Sequence, residues 1–199
     1  MGELFRKSVF AGMLISLGCL VNLKVGGYVG AVLFAFGLMS IVYYGLPLYT
    51  GRAGFCTTVK DLKSLPLILF GNVVGTLLLG GLSHFLIPEV VIPASDIVAS
   101  RVCSPVPRAV FLSFLCGFVM TTVVMFARRD DQKMLPLLFG IPLFILSGFW
   151  HSIADVFYYS ASLQISIEIL WIYPLTVIGN FLGCIAYNLL VSKRLYFQS

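Results

Sequence analysis

Charge is what this sequence has least of. Asp, Glu, Lys and Arg make up only 11% of its 199 residues, against about 25% in an ordinary soluble domain. That scarcity, set against so much apolar sequence, excludes a disordered chain and a nucleic-acid-binding domain. The five cysteines, Cys19, Cys56, Cys103, Cys116 and Cys184, include no pair at CxxC spacing, and three lie inside apolar runs. A secreted disulfide scaffold is therefore excluded, and buried small hydrophobes are the simpler reading. There is no metal-ligand cluster, no GxSxG elbow and no Gly-rich phosphate loop. Hydrophobic residues fill the space, at 59% of the chain, and the mean hydropathy is +1.01. A soluble fold of this length could not hide so much apolar surface in one core. The expectation is an all-α integral membrane protein with a single transmembrane domain over residues 1–194.

A helix needs about 20 apolar residues to cross the hydrocarbon core. Six segments qualify, at 8–23, 26–48, 65–87, 109–127, 135–159 and 165–191. The first reads as a span and not as a signal peptide, because no small-residue cleavage site closes it and further spans follow. Residues 195–199 look like the remnant of a protease-site tag and are set aside. Ten basic residues, Arg6, Lys7, Arg52, Lys60, Lys63, Arg128, Arg129, Lys133, Lys193 and Arg194, fall on one side of such a layout. Three, Lys24, Arg101 and Arg108, fall on the other. The basic side belongs inside, which places both termini in the cytoplasm of a cell whose plasma membrane the chain spans. The net charge of +5 thus reports topology. Lys24 and Arg101, near the outer mouth, are candidates for attracting anions.

The third and sixth segments share a motif. Gly71-Asn72-Val73-Val74-Gly75 and Gly179-Asn180-Phe181-Leu182-Gly183 both read GNxxG. The chain then divides into two three-helix halves, about 5–90 and 105–194. Three is odd, so the second half must cross the membrane in the opposite sense, an inverted repeat of the kind transporters use. The second segment is broken by Gly45, Pro47 and Gly51, with apolar sequence resuming over 53–59. The fifth has its own break region near Pro142 and Ser147-Gly148. Paired broken helices at corresponding places mark a transport site near the midplane. Irregular backbone survives there only where it is buried or lines a cavity.

His151 and Asp155 lie four apart inside the fifth segment, a spacing that shares a helix face. Ionisable groups at membrane depth are functional candidates by default, although an interhelical hydrogen bond would also account for them. Thr50, in the first break, could face a permeant species or bond its own backbone. Asn72 and Asn180 are read as structural, bonding exposed backbone at the breaks.

Taken together, these residues resemble the formate/nitrite transporter family over essentially the whole chain. Gly148-Phe149-Trp150-His151-Ser152-Ile153-Ala154-Asp155 is similar to the family's fifth-helix motif, usually GFEHSxAN. The loop from Gly45 to Gly51 and the two GN motifs fall where the family has them. The resemblance implies a homopentamer of aquaporin-like protomers, each with its own pore. It implies His151 as the central pore histidine with Thr50 facing it. Phe34 and Phe144 would form the outer constriction, and Leu38, Leu48 and Tyr49 the inner one. Four positions depart from the family's pattern. Asp155 stands for asparagine, Trp150 for glutamate, Gly117 for an asparagine that supports the histidine, and Arg101 for lysine.

The expected cargo is a small monovalent anion or its conjugate weak acid, such as formate, nitrite or hydrosulfide. No cofactor, no metal and no nucleic acid are implied. A dry constriction passes the neutral acid more easily than the anion, and His151 could lend a hydrogen bond or a proton between the constrictions. Three other readings stand beside this one. They are a channel for a small neutral solute, a structural membrane subunit, and an enzyme using His151, Asp155 and Ser152. The last is disfavoured because Ser152 adjoins His151 and points to another helix face.

Overall fold

The computed structural model describes residues 1–56, 58–129 and 134–191. Lys133, Lys193, Arg194 and the segment 195–199 lie outside the described residues. The chain forms α1 (Gly2–Val25), α2 (Gly27–Tyr43), α3 (Tyr49–Ala53) and α4 (Val59–Leu86), then a single 3-10 turn and α5 (Val91–Val102). It continues with α6 (Val106–Arg129), α7 (Leu135–Leu146), α8 (Ser152–Ser162) and α9 (Ile169–Val191). Among the described residues there is no strand. Four helices, α1, α4, α6 and α9, are long and apolar enough to cross a membrane, and α2 and α7 are shorter apolar helices. This is an all-helical, multi-pass membrane protein.

The second and fifth expected segments are each split, and the same device splits them. Gly45 ends α2 at φ 63° and Gly148 ends α7 at φ 67°, a left-handed conformation that costs a side-chain-bearing residue roughly 1–2 kcal/mol. After α2, the Leu46 N–H donates to the Ile41 carbonyl (2.9 Å) and the Gly45 N–H to Val42 (3.2 Å). After α7, the Phe149 N–H donates to Phe144 (3.1 Å) and the Gly148 N–H to Ile145 (3.0 Å). Both pairs satisfy the last carbonyls in the 6→1 and 5→2 pattern of a glycine stop. Pro142 does not break α7 as the sequence suggested. A proline removes one helical bond, and here the helix runs through it to the glycine stop.

The boundaries moved for local reasons. The short helix after the first break was expected over 53–59 and forms at Tyr49–Ala53. Leu48 is extended (φ −108°, ψ 135°), and the Tyr49 N–H finds an acceptor in the Asn72 side chain at 2.9 Å. α4 starts six residues before the expected Leu65, at Val59, because Thr58 and Asp61 build a capping box. The Asp61 N–H donates to Thr58 Oγ1 (3.2 Å) and the Thr58 N–H to the Asp61 carboxylate (3.0 Å).

The two stretches α1–α4 and α6–α9 make matching contacts. Asn72 accepts from the Tyr49 N–H and donates through Nδ2 to the Ser8 and Pro47 carbonyls (2.8 and 3.0 Å). Asn180 accepts from the Ser152 N–H at 2.8 Å and donates to the Ser113 and Trp150 carbonyls, both at 2.8 Å. Each amide thereby joins a long helix to the break and to the short helix after it. The Thr76 hydroxyl donates to the Gly12 carbonyl (3.2 Å) and the Cys184 thiol to the Gly117 carbonyl (3.4 Å). Gly117 and Gly183 mark close crossings of α6 and α9. A Cβ at Gly117 would overlap the Asn180 carbonyl oxygen, as one at Gly12 would overlap that of Asn72. The family's asparagine in place of Gly117 therefore has no room here.

α1 packs on α2 and α4, α6 on α7 and α9, and α2 on α7. The short helices cross over: α8 packs on α4 and α5, and α3 touches α6 and α9. The break residues are thus enclosed by both stretches.

Candidate functional site

His151 caps α8. Its backbone is extended (φ −111°, ψ 115°), and its Nδ1 accepts from the Ala154 N–H at 3.2 Å. An acceptor nitrogen carries no proton, so the ring proton sits on Nε2. Nε2 lies 3.0 Å from Thr50 Oγ1 and donates to it. Thr50 belongs to α3, so the contact joins the two interruptions across 101 positions of sequence. Both side chains are buried. The Thr50 carbonyl accepts from the Cys184 thiol at 3.3 Å, which fixes the backbone beneath the hydroxyl.

Two cavities approach this contact. One, about 420 Å³, is lined by Phe144, Trp150, His151, Asp155, Arg101 and Arg108, among others. The other, about 240 Å³, is lined by Leu38, Leu48, Arg52, Val124 and Arg128, among others. They meet opposite ends of α6, since Arg108 lies in its first turn and Arg128 in its last; 20 helical residues rise about 30 Å. The Phe34 and Phe144 rings pack edge to face with centroids 5.7 Å apart, and Phe144 lies 5.9 Å from the His151 ring. Leu38 and Leu48 border the second cavity. Tyr49 borders neither of these two cavities, and its hydroxyl donates to the Val177 carbonyl on α9 at 3.3 Å.

Asp155 lies in the first turn of α8, with its carboxylate turned to Arg101. Arg101 Nη2 is 3.4 Å from Asp155 Oδ1. The guanidinium also donates to the Gly148 and Phe149 carbonyls (3.3 and 3.4 Å) and covers the Trp150 ring, 4.5 Å from its centroid. Three of the four departures from the family pattern, Arg101, Trp150 and Asp155, are therefore one cluster. Lys24 is exposed, pairs with Glu89 at 3.8 Å, and borders neither cavity.

Sequence reasoning missed α5 as an element, and with it the wall that carries Arg101. The signal was present: Val90, Ala94, Val98 and Arg101 recur at three- and four-residue spacing and are buried. It also missed Arg108 as a residue of the cavity and not only of the topology count.

Fold and site together define a multi-pass helical membrane protein whose two interrupted helices meet at a buried threonine–histidine contact. The formate/nitrite transporter family model matches residues 1–193, and the chain belongs to that family. Among solved structures it is similar to one described as a pentameric formate channel with formate bound. That match has TM-score 0.77 and 17% identity, covering 98% of this chain and 95% of the other. It is also similar to a chain described as an FNT family ion channel, with TM-score 0.79 and 20% identity, covering 98% and 89%. A search of curated proteins gave no significant match.

Proposed function

We propose that this chain is a plasma-membrane channel passing a small monovalent anion or its conjugate weak acid, such as formate, nitrite or hydrosulfide. The observation that carries the reading is the His151–Thr50 contact, buried between two cavities at opposite ends of α6. Family membership and the fold of the formate-bound channel support it. In this reading Phe34 and Phe144 form one constriction, and Leu38, Leu48 and Tyr49 the other. The matching ties of Asn72 and Asn180 support six crossings in two inverted three-helix halves, about 5–90 and 105–194, with aquaporin-like protomers. Both termini are cytoplasmic, and the assembly is a homopentamer with a pore in each protomer.

An anion entering the apolar constriction loses its water. His151 Nε2–H and the Thr50 hydroxyl are the polar groups placed to meet it. Donating a hydrogen bond from Nε2 needs no rearrangement of the ring. Donating a proton is harder, because Nδ1 must first gain one, and Nδ1 is occupied by the Ala154 N–H. The reading therefore makes His151 a hydrogen-bond donor to the anion, with proton delivery requiring the 151–154 turn to give way.

The test is flux into proteoliposomes at two pH values, with formate, nitrite, hydrosulfide, acetate and a neutral solute. Uptake of a weak acid should rise as pH falls, and His151→Asn should change both the pH profile and the selectivity. Identical pH profiles for the two proteins, both assembled, would sink a proton-donor role for His151, and unchanged selectivity as well would remove it from the pathway. A second reading, a pore for a small neutral solute, is favoured by one observation: the Arg101 charge is compensated by Asp155 at the cavity wall. Passage of the neutral solute alone would establish it.

A further inference from the structure

Arg101 reaches from α5 to both sides of His151. Gly148, Phe149 and Trp150, which it touches through two carbonyls and a ring face, precede the histidine; Asp155 follows it. The residue is only 9% exposed. A charge so enclosed is tolerable when paired and hydrogen-bonded. This one is paired with Asp155 and bonded through both Nη atoms, while its Nε and the Asp155 oxygens have no hydrogen-bond partner among the described residues. Lysine could not replace it, having neither a planar face for the indole nor a fork for several acceptors. The other interruption needs no such clamp. Pro47 occupies the place equivalent to Trp150, each giving its carbonyl to an asparagine amide, and its ring fixes φ by covalent means.

We propose that Arg101 is a positioning residue: with Trp150 and Asp155 it holds the α7–α8 interruption so that His151 meets Thr50. Anion collection at this cavity then falls to Arg108, which is exposed and lines the same space. The flux arm of the test rests on the channel reading; the spectroscopic arm does not.

The flux arm compares weak-acid uptake against concentration and ionic strength for wild type, R101Q, R101K and R108Q in proteoliposomes. R101Q should lower maximal flux by roughly 10- to 100-fold, the scale of a small misplacement at a working site. Its half-saturating concentration and salt dependence should stay as in wild type, and R101K should not rescue it. R108Q should instead raise the half-saturating concentration, an effect that fades in high salt. A salt-dependent rise in half-saturation in R101Q, or full rescue by R101K, overturns the proposal. The second arm is nitrogen NMR of labelled histidine in nanodiscs, with His84→Gln assigning the two imidazoles. The His151 Nε2 signal should move in R101Q and stay in R108Q. An unmoved signal in assembled R101Q overturns the proposal whatever the cargo. If R101Q does not assemble, Trp150→Leu, which keeps both charges, is read the same way. A wild type that passes no weak acid while the signal moves as expected would sink the channel reading and leave the clamp standing.

Discussion

The imidazole of His151 is held from both edges, by Ala154 at one nitrogen and Thr50 at the other, which makes Thr50 the most informative residue to change. Thr50→Val orphans a buried N–H donor, and such a loss costs about 1–3 kcal/mol. The expected result is a lower unfolding temperature in detergent and an altered pH profile of flux, while Thr50→Ser keeps both near wild type. Wild-type flux in Thr50→Val would separate the hydroxyl from transport. His151 and Thr50 were legible in the sequence because polar groups at membrane depth are expensive and few. The partner of Asp155 was not. Arg101 lies far away in the chain, on α5, outside the six expected spans, and the short buried pattern that marks α5 says nothing of which residue Arg101 meets.

At the scale of the elements, the asparagines carry the two interruptions. Asn180→Ala leaves the Ser152 N–H and the Ser113 and Trp150 carbonyls without that partner, and should destabilise the protein by about 2–4 kcal/mol. Asn72→Ala should cost a similar amount, since its three bonds match. Gly148→Ala should cost less, about 1–2 kcal/mol for a left-handed residue with a side chain. Thermal unfolding of the three variants in one detergent checks the order; a harmless Asn72→Ala beside a damaging Asn180→Ala would break the equivalence. The existence of the interruptions was readable from Gly45, Pro47 and Gly148; Gly51, expected to help break the chain, lies inside α3. The extents of the interruptions were not readable. The start of α3 depends on the Asn72 amide, 23 positions away from Tyr49, and the end of α7 on a glycine stop that outweighs a proline.

The whole molecule offers two checks on the proposed arrangement. Native mass spectrometry should give a particle of five protomers of 21.8 kDa each. An impermeant thiol reagent should label exposed Cys103, at the α5–α6 turn, from outside intact cells, and half-buried Cys56 only after the membrane is opened. Labelling of Cys56 from outside would invert the topology. The all-helical membrane class followed from hydropathy alone, because a bilayer leaves the chain few alternatives. The count did not, since six spanning segments were expected and, among the described residues, four helices are long and apolar enough to cross. The pairing of short helices with the opposite stretch did not, because hydropathy carries no information about which helices touch.

The two asparagine ties also limit what can move. Each fastens a long helix, an interruption and a short helix at once, so neither interruption slides without losing three bonds together. In the proposed pore the backbone is then a fixed frame, and the side chains of Phe34, Phe144 and Leu38 are shutters hung on it. A lineage could change what passes by exchanging the shutters one at a time, with the frame inherited intact.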